Sequence, residues 1–217
     1  YLMIPMMLLF LILRAQIVRV VVGAGAFDWA ATISTADTLA FFALTFIPQA
    51  LIFILARAFY ALHDTVTPLT TGAVSALVGL LAAFAFTDSF GVTALAMAYS
   101  LAAIINAVLM WVILRQRMGS LAESELLVTI YKLSTAGLVA AVVMQVLKPV
   151  ALSVISLDTF IGVFSQGFFA GSLGILAYVG VCKVLRVEEQ KLILDSIKRK
   201  ALRRVRPEEA LDSLDSL

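Results

Sequence analysis

Only one of the 217 residues is cysteine, Cys182, and only one is histidine, His63. A lone thiol excludes an internal disulfide, and one Cys with one His falls short of the several spaced ligands that a zinc site needs. Neither a metal nor a cofactor is expected. Charge is just as sparse: Asp, Glu, Lys and Arg make up 14% of the chain while 62% is hydrophobic, against roughly 25% charged in ordinary soluble domains. So few charges cannot clothe a water-facing surface, so the chain reads as a membrane protein. There is also no short apolar segment followed by a small-residue cleavage site, and Tyr1 already stands inside an apolar run. That opening is expected of part of something longer.

What the chain has in quantity is long apolar windows. About twenty apolar residues in a helix cross the roughly 30 Å hydrocarbon core. Six such windows run approximately 2 to 22, 36 to 60, 69 to 87, 91 to 114, 126 to 148 and 159 to 182. Barrel strands would be half as long and would alternate in polarity, which these do not. The reading is an all-α, polytopic membrane helix bundle of about six transmembrane helices. Its expected divisions are residues 1–116 for four helices of one lobe, 117–182 for a final pair, and 183–217 for a cytoplasmic tail.

Lys and Arg in short loops set the orientation. Arg115 and Arg117 put the fourth-to-fifth connection inside, and the basic tail, with nine of the sixteen Lys and Arg between 183 and 206, belongs inside too. The connections at Asp88–Ser89 and around Asp158 then lie outside. Arg14 and Arg19 fall toward the outer end of the first helix, where they either snorkel to the interface or face a watery interior. Lys132 and Lys148 are expected to snorkel to opposite interfaces, and Asn106 to bond across helices.

Packing marks recur at helical spacing. Ser75, Gly79 and Ala83 line the third helix, and Gly167 with Gly171 forms a GxxxG on the sixth, a pattern that brings backbones close. Pro48 sits inside the second helix, where it removes the hydrogen bond to the Leu44 carbonyl and predicts a kink, hence a candidate hinge.

The polar stretch FYALHDTVTP at 59–68 interrupts this apolar run. His63, Asp64 and Thr65 predict a short inner turn, with Thr67 as the candidate N-cap and Pro68 at the first helical position. Catalysis would need a nucleophile, metal ligands or a second carboxylate within reach, and no second His or Cys lies in a nearby segment, so no enzymatic role is expected.

The segment LARAFYALHDTVTP resembles the signature after the tenth helix of the MurJ-type (MviN) lipid II flippases, in the multidrug/oligosaccharidyl-lipid/polysaccharide exporter superfamily. IVRVVVGAGAFD at 17–28 is similar to that family's apolar helix end and Gly-Ala-Phe loop, and GVTALAMAYSLAAIINAVLM at 91–110 to its glycine-led helix with a late Asn-Ala. The family's usual proline before Ile-Val is Gln16 here, its frequent arginine after AFYA is Leu62, and an asparagine of its next helix is absent near Gly79.

The resemblance implies the last six of fourteen helices in a bacterial inner-membrane transporter, with a cytoplasmic C-terminus. It implies outward movement, by alternating access, of an undecaprenyl-pyrophosphate-linked peptidoglycan precursor, and so a role in cell-wall building and cell shape. The missing N-terminal helices would be the partner that holds most of the family's phosphate-handling arginines. In this chain Arg14, Arg19 and Arg57 are the candidates for touching substrate, Pro48 for a hinge, and the last two helices, with GFFAG at 167–171, for a lipid groove.

The tail from Leu194 alternates apolar Ile197, Ala201, Leu202 and Val205 with Lys198, Arg199, Lys200, Arg203, Arg204 and Arg206. That pattern suits anionic inner-leaflet lipid rather than nucleic acid. The competing readings are an exporter of another lipid-linked oligosaccharide or drug, a half-transporter that pairs with another subunit, and a noncatalytic membrane scaffold or anchor.

Overall fold

A computed structural model describes residues 1–22, 29–119, 123–152 and 160–192. Eight helices make up the described residues, and none of these residues is in a strand: α1 (Met3–Ile12), α2 (Arg14–Val22), α3 (Trp29–Leu44), α4 (Phe46–Ala61), α5 (Val66–Phe90), α6 (Thr93–Met118), α7 (Glu123–Leu152) and α8 (Phe160–Val184). Five spans are long and apolar enough to cross a membrane, and α1 with α2 makes a sixth if that bent pair counts as one. The all-helical, six-span reading thus agrees with the structure. The loop around Asp158, the Gly-Ala-Phe loop at 23–28 and the amphipathic pattern after Leu194 lie outside the described residues.

The first expected span is not one straight helix. α1 and α2 meet at an angle of 70°, and the junction residue Leu13 has φ −92° and ψ 14°. No proline or glycine stands there. The cause is a side chain from elsewhere: the Lys148 ammonium donates to the Ile12 carbonyl, which the break leaves without its helical partner. A group inserted into the i to i−4 ladder is a recognised source of sharp bends.

The second span is longer than expected and is interrupted three residues before Pro48. α3 ends at Leu44 and α4 begins at Phe46, because Pro48 has no N–H to give the Leu44 carbonyl. The Thr45 backbone and hydroxyl instead both donate to the Phe42 carbonyl, at 3.0 Å and 2.7 Å, a tighter turn at the joint.

Close packing is concentrated between α5 and α6 and between α7 and α8. At Gly79 an added Cβ would stand 2.8 Å from the Ala102 Cβ, and at Gly171 3.1 Å from a Leu13 methyl. The glycine stripes are therefore helix contacts: Gly79 seats α5 on α6, and Gly167 and Gly171 seat α8 on the bent first span. Large apolar side chains such as Leu69, Phe84, Ile161 and Leu176 stand outward. Lipid is as apolar as they are, so their exposure costs nothing in a bilayer.

Candidate functional site

Among the described residues, three of the places where polar side chains meet hold the candidate residues or their neighbours. The first is the turn between α4 and α5. His63 has φ +56°, its N–H donates to the Tyr60 carbonyl at 3.0 Å, and the Asp64 N–H reaches back to the Phe59 carbonyl at 2.9 Å. These two bonds form a Schellman closure with histidine, one of the residues more tolerant of the left-handed region, in the place usually held by glycine. Arg186 ends α8 in the same way.

Asp64 then opens the next helix. Its Oδ1 accepts the backbone N–H groups of Val66 at 3.0 Å and Thr67 at 2.9 Å, and its Oδ2 accepts the Thr67 hydroxyl at 2.6 Å. The expected cap is thereby corrected. The capping carboxylate belongs to Asp64, Thr67 is its donor, and Pro68 is the third residue of α5 rather than the first, still among positions whose N–H needs no helical partner. Thr65 makes no side-chain cap bond.

Arg117, at the end of α6, completes the knot. It pairs with Asp64 Oδ2, donates to the Thr67 hydroxyl at 3.1 Å, and lies 5.7 Å from the centre of the buried Phe59 ring. Bonds from the Thr67 hydroxyl and backbone, with the guanidinium adding to them, lower the Asp64 pKa to about 2. One carboxylate thus ties α4, α5 and α6 together at one end of the bundle.

The second place is the bend of the first span. Arg14 pairs with Asp37 of α3 at 2.9 Å. Beside it, Ala15, Gln16, Arg19, Gln145, Lys148, Pro149, Val163 and Gln166 line a cavity of about 340 Å³. Lys148 does not merely snorkel, since its ammonium holds the Ile12 carbonyl.

The third is a crevice of about 410 Å³ between α4, α5 and α6, where Gln49 donates to the Tyr99 hydroxyl at 2.8 Å. Asn106 lines it, and its buried Oδ1 has no hydrogen-bond partner among the described residues, against the expected bond across helices. Ser100 makes such a bond instead, donating to the Phe41 carbonyl at 2.6 Å.

The three candidate arginines do not converge. Arg14 and Arg19 flank the bend, while Arg57 is exposed on the last turns of α4 at the opposite end. The pairings of Arg117, Asp37, Gln16 and Gln166 escaped the sequence reading because the partners lie far off in the chain, 53 residues away for Arg117 and 150 for the Gln16–Gln166 pair.

A family model described as lipid II flippase MurJ matches residues 1–164, a stretch that includes the bent pair, the four following spans and the turn at 62–67. No curated protein matches the chain.

Proposed function

The chain belongs to the MurJ family of lipid II flippases, and from that premise we propose that it forms the C-terminal lobe and groove helices of a transporter that carries an undecaprenyl-pyrophosphate-linked peptidoglycan precursor outward. It is a multi-pass membrane protein of the bacterial inner membrane. The observation that carries the proposal is the family match over 1–164 together with the all-helical, apolar bundle it covers.

In this reading the lobes rock by alternating access about a central site. The Asp64–Thr67–Arg117 knot faces the cytoplasm and holds α4, α5 and α6 as one body, while the Leu44–Thr45 joint, opened by Pro48, lets α3 reorient against α4. Arg57 draws phosphate toward the entry rim. The last two helices supply a lipid-facing surface, which the exposed ladder of Phe160, Phe164 and Phe168 on α8 supports, with ring centres 6.4 Å and 6.1 Å apart.

The test is proteoliposome transport of fluorescent lipid II by the complete protein. Protected fluorescence should accumulate with time, and Pro48→Ala, with the protein still folded, should slow it. If wild-type protein scrambles no lipid II yet moves another polyprenyl-linked sugar, the cargo assignment fails while the transporter assignment stands.

A further inference from the structure

Nothing in the residues around Leu13 asks for a bend. FLILRAQ holds no proline or glycine, and its leucines, arginine, alanine and glutamine are among the better helix formers. Yet α1 and α2 meet there at 70°. The Leu13 N–H still donates to the Leu9 carbonyl and the Ile17 N–H to the Leu13 carbonyl, both at 2.9 Å. The departure is centred on Leu13, whose φ of −92° and ψ of 14° differ from an ordinary helical residue by about 30° and about 55°. Both conformations belong to the right-handed half of backbone space, so no forbidden region separates them.

What bends the span comes from other helices. α1 packs on α7 and α2 on α8, and those two supply the clamp. The Lys148 ammonium of α7 holds the Ile12 carbonyl. Gln166 of α8, 4% exposed, donates to the Lys148 carbonyl at 2.9 Å and accepts from Gln16 Nε2 at 3.4 Å. Gly171 leaves room for Leu13, whose methyl would stand 3.1 Å from an added Cβ. The clamped state leaves polar groups poorly matched. The Ile12 carbonyl takes a lysine where a straight helix would give it the Gln16 N–H. Gln16 Oε1 is buried with no hydrogen-bond partner among the described residues, which is destabilising. A helix-forming segment held bent by reversible polar bonds, beside an unanswered acceptor, has a second arrangement within reach.

We propose that Leu13 is a two-state hinge latched by Lys148. With the ammonium on the Ile12 carbonyl the first span is bent. When α7 and α8 shift and withdraw it, the Gln16 N–H takes its place and α1 runs straight into α2. The withdrawn ammonium stays in the cavity that Lys148 and Gln16 line together and donates to Gln16 Oε1, so the acceptor left over in one state is answered in the other. The last two helices thereby set the shape of the first span across 136 residues of chain. Arg14 turns with α2, and its pair with Asp37 carries the change to α3. A part for this hinge in transport rests on the flippase reading; the hinge itself does not.

The experiment is electron–electron resonance distance measurement on the complete protein in nanodiscs, spin-labelled at Leu2→Cys and Val21→Cys, with Cys182→Ala and every other cysteine removed. Both labelled positions stand outward, 55% and 75% exposed. At about 1.5 Å per residue the arms from Leu13 measure about 16 Å and about 12 Å, which puts the pair about 28 Å apart in a straight span and about 23 Å apart in the bent one. Wild-type protein should show mainly the shorter distance. Lys148→Met should move most of the distribution about 5 Å outward, and Lys148→Arg should keep it short. Gln16→Pro lies in the first turn of α2, where the bent state needs no N–H but the straight state does, so adding it to Lys148→Met should restore the short distance. An unchanged distance in folded Lys148→Met overturns the latch. A lengthened one that Gln16→Pro leaves long overturns the hinge, because it marks a loosened chain rather than a straight helix. If Lys148→Met does not fold, the wild-type protein carries the test. A minor population about 5 Å longer, absent in Gln16→Pro, is then expected, and a single short distance in both proteins overturns the proposal. Failure of wild-type protein to move lipid II removes the cargo and leaves these distances as they are.

Discussion

At the scale of single residues, the turn at 62–67 shows why the lone histidine stands where it does. His63 holds a left-handed backbone that β-branched residues resist. His63→Val should lower unfolding stability by about 1–2 kcal/mol, and His63→Gly should leave it unchanged or raised, read by thermal melting in detergent. Asp64 carries a pH signature. Its folded pKa of about 2 lies below the ordinary carboxylate value, so its contribution is fully present above about pH 4 and is lost as pH falls toward 2. The melting temperature should drop over that window in wild-type protein and drop less in Asp64→Asn; equal profiles would show that the carboxylate does not hold the turn. The sequence displayed the turn through its cluster of polar residues. It hid Arg117, whose meeting with Asp64 depends on α5 and α6 folding back as a hairpin.

At the scale of elements, spans were readable wherever length and apolarity define them, and the Leu44–Thr45 joint followed from proline's missing donor. The bend at Leu13 was not readable. Its cause is a lysine 136 residues away, and nothing local in LILRAQ marks a break. The small-residue stripes were readable as packing, and Gly79 allows the sharpest test. An added methyl there meets the Ala102 Cβ, which is fixed to its own helix and cannot rotate aside. Gly79→Ala should therefore cost about 1–3 kcal/mol, and Ala102→Gly in the same chain should recover most of it. A double variant no better than the single would mean that α5 and α6 are not in contact there. At Gly174 the obstacle is the flexible side chain of Met144, so Gly174→Ala should be milder.

At the scale of the whole molecule, family membership was legible because three ordered segments carried it, while the polar cavity was not, since its walls come from α2, α7 and α8 together. The proposed orientation is testable by labelling single cysteines in a Cys182→Ala background. Leu62→Cys should react with a membrane-impermeant thiol reagent only from the cytoplasmic side, and Ser89→Cys only from the opposite side; the reverse pattern would invert the bundle.

The second span also has a consequence in plain length. Ala30–Ala61 is a continuous stretch of 32 residues, which at about 1.5 Å each comes to about 48 Å, against a hydrocarbon thickness of roughly 30 Å. Tilt absorbs only part of the surplus. The break at Thr45 takes up a further part, and the rest is expected to carry the Ala61 end past the hydrocarbon like a mast, with the Asp64–Arg117 knot fastened at its tip.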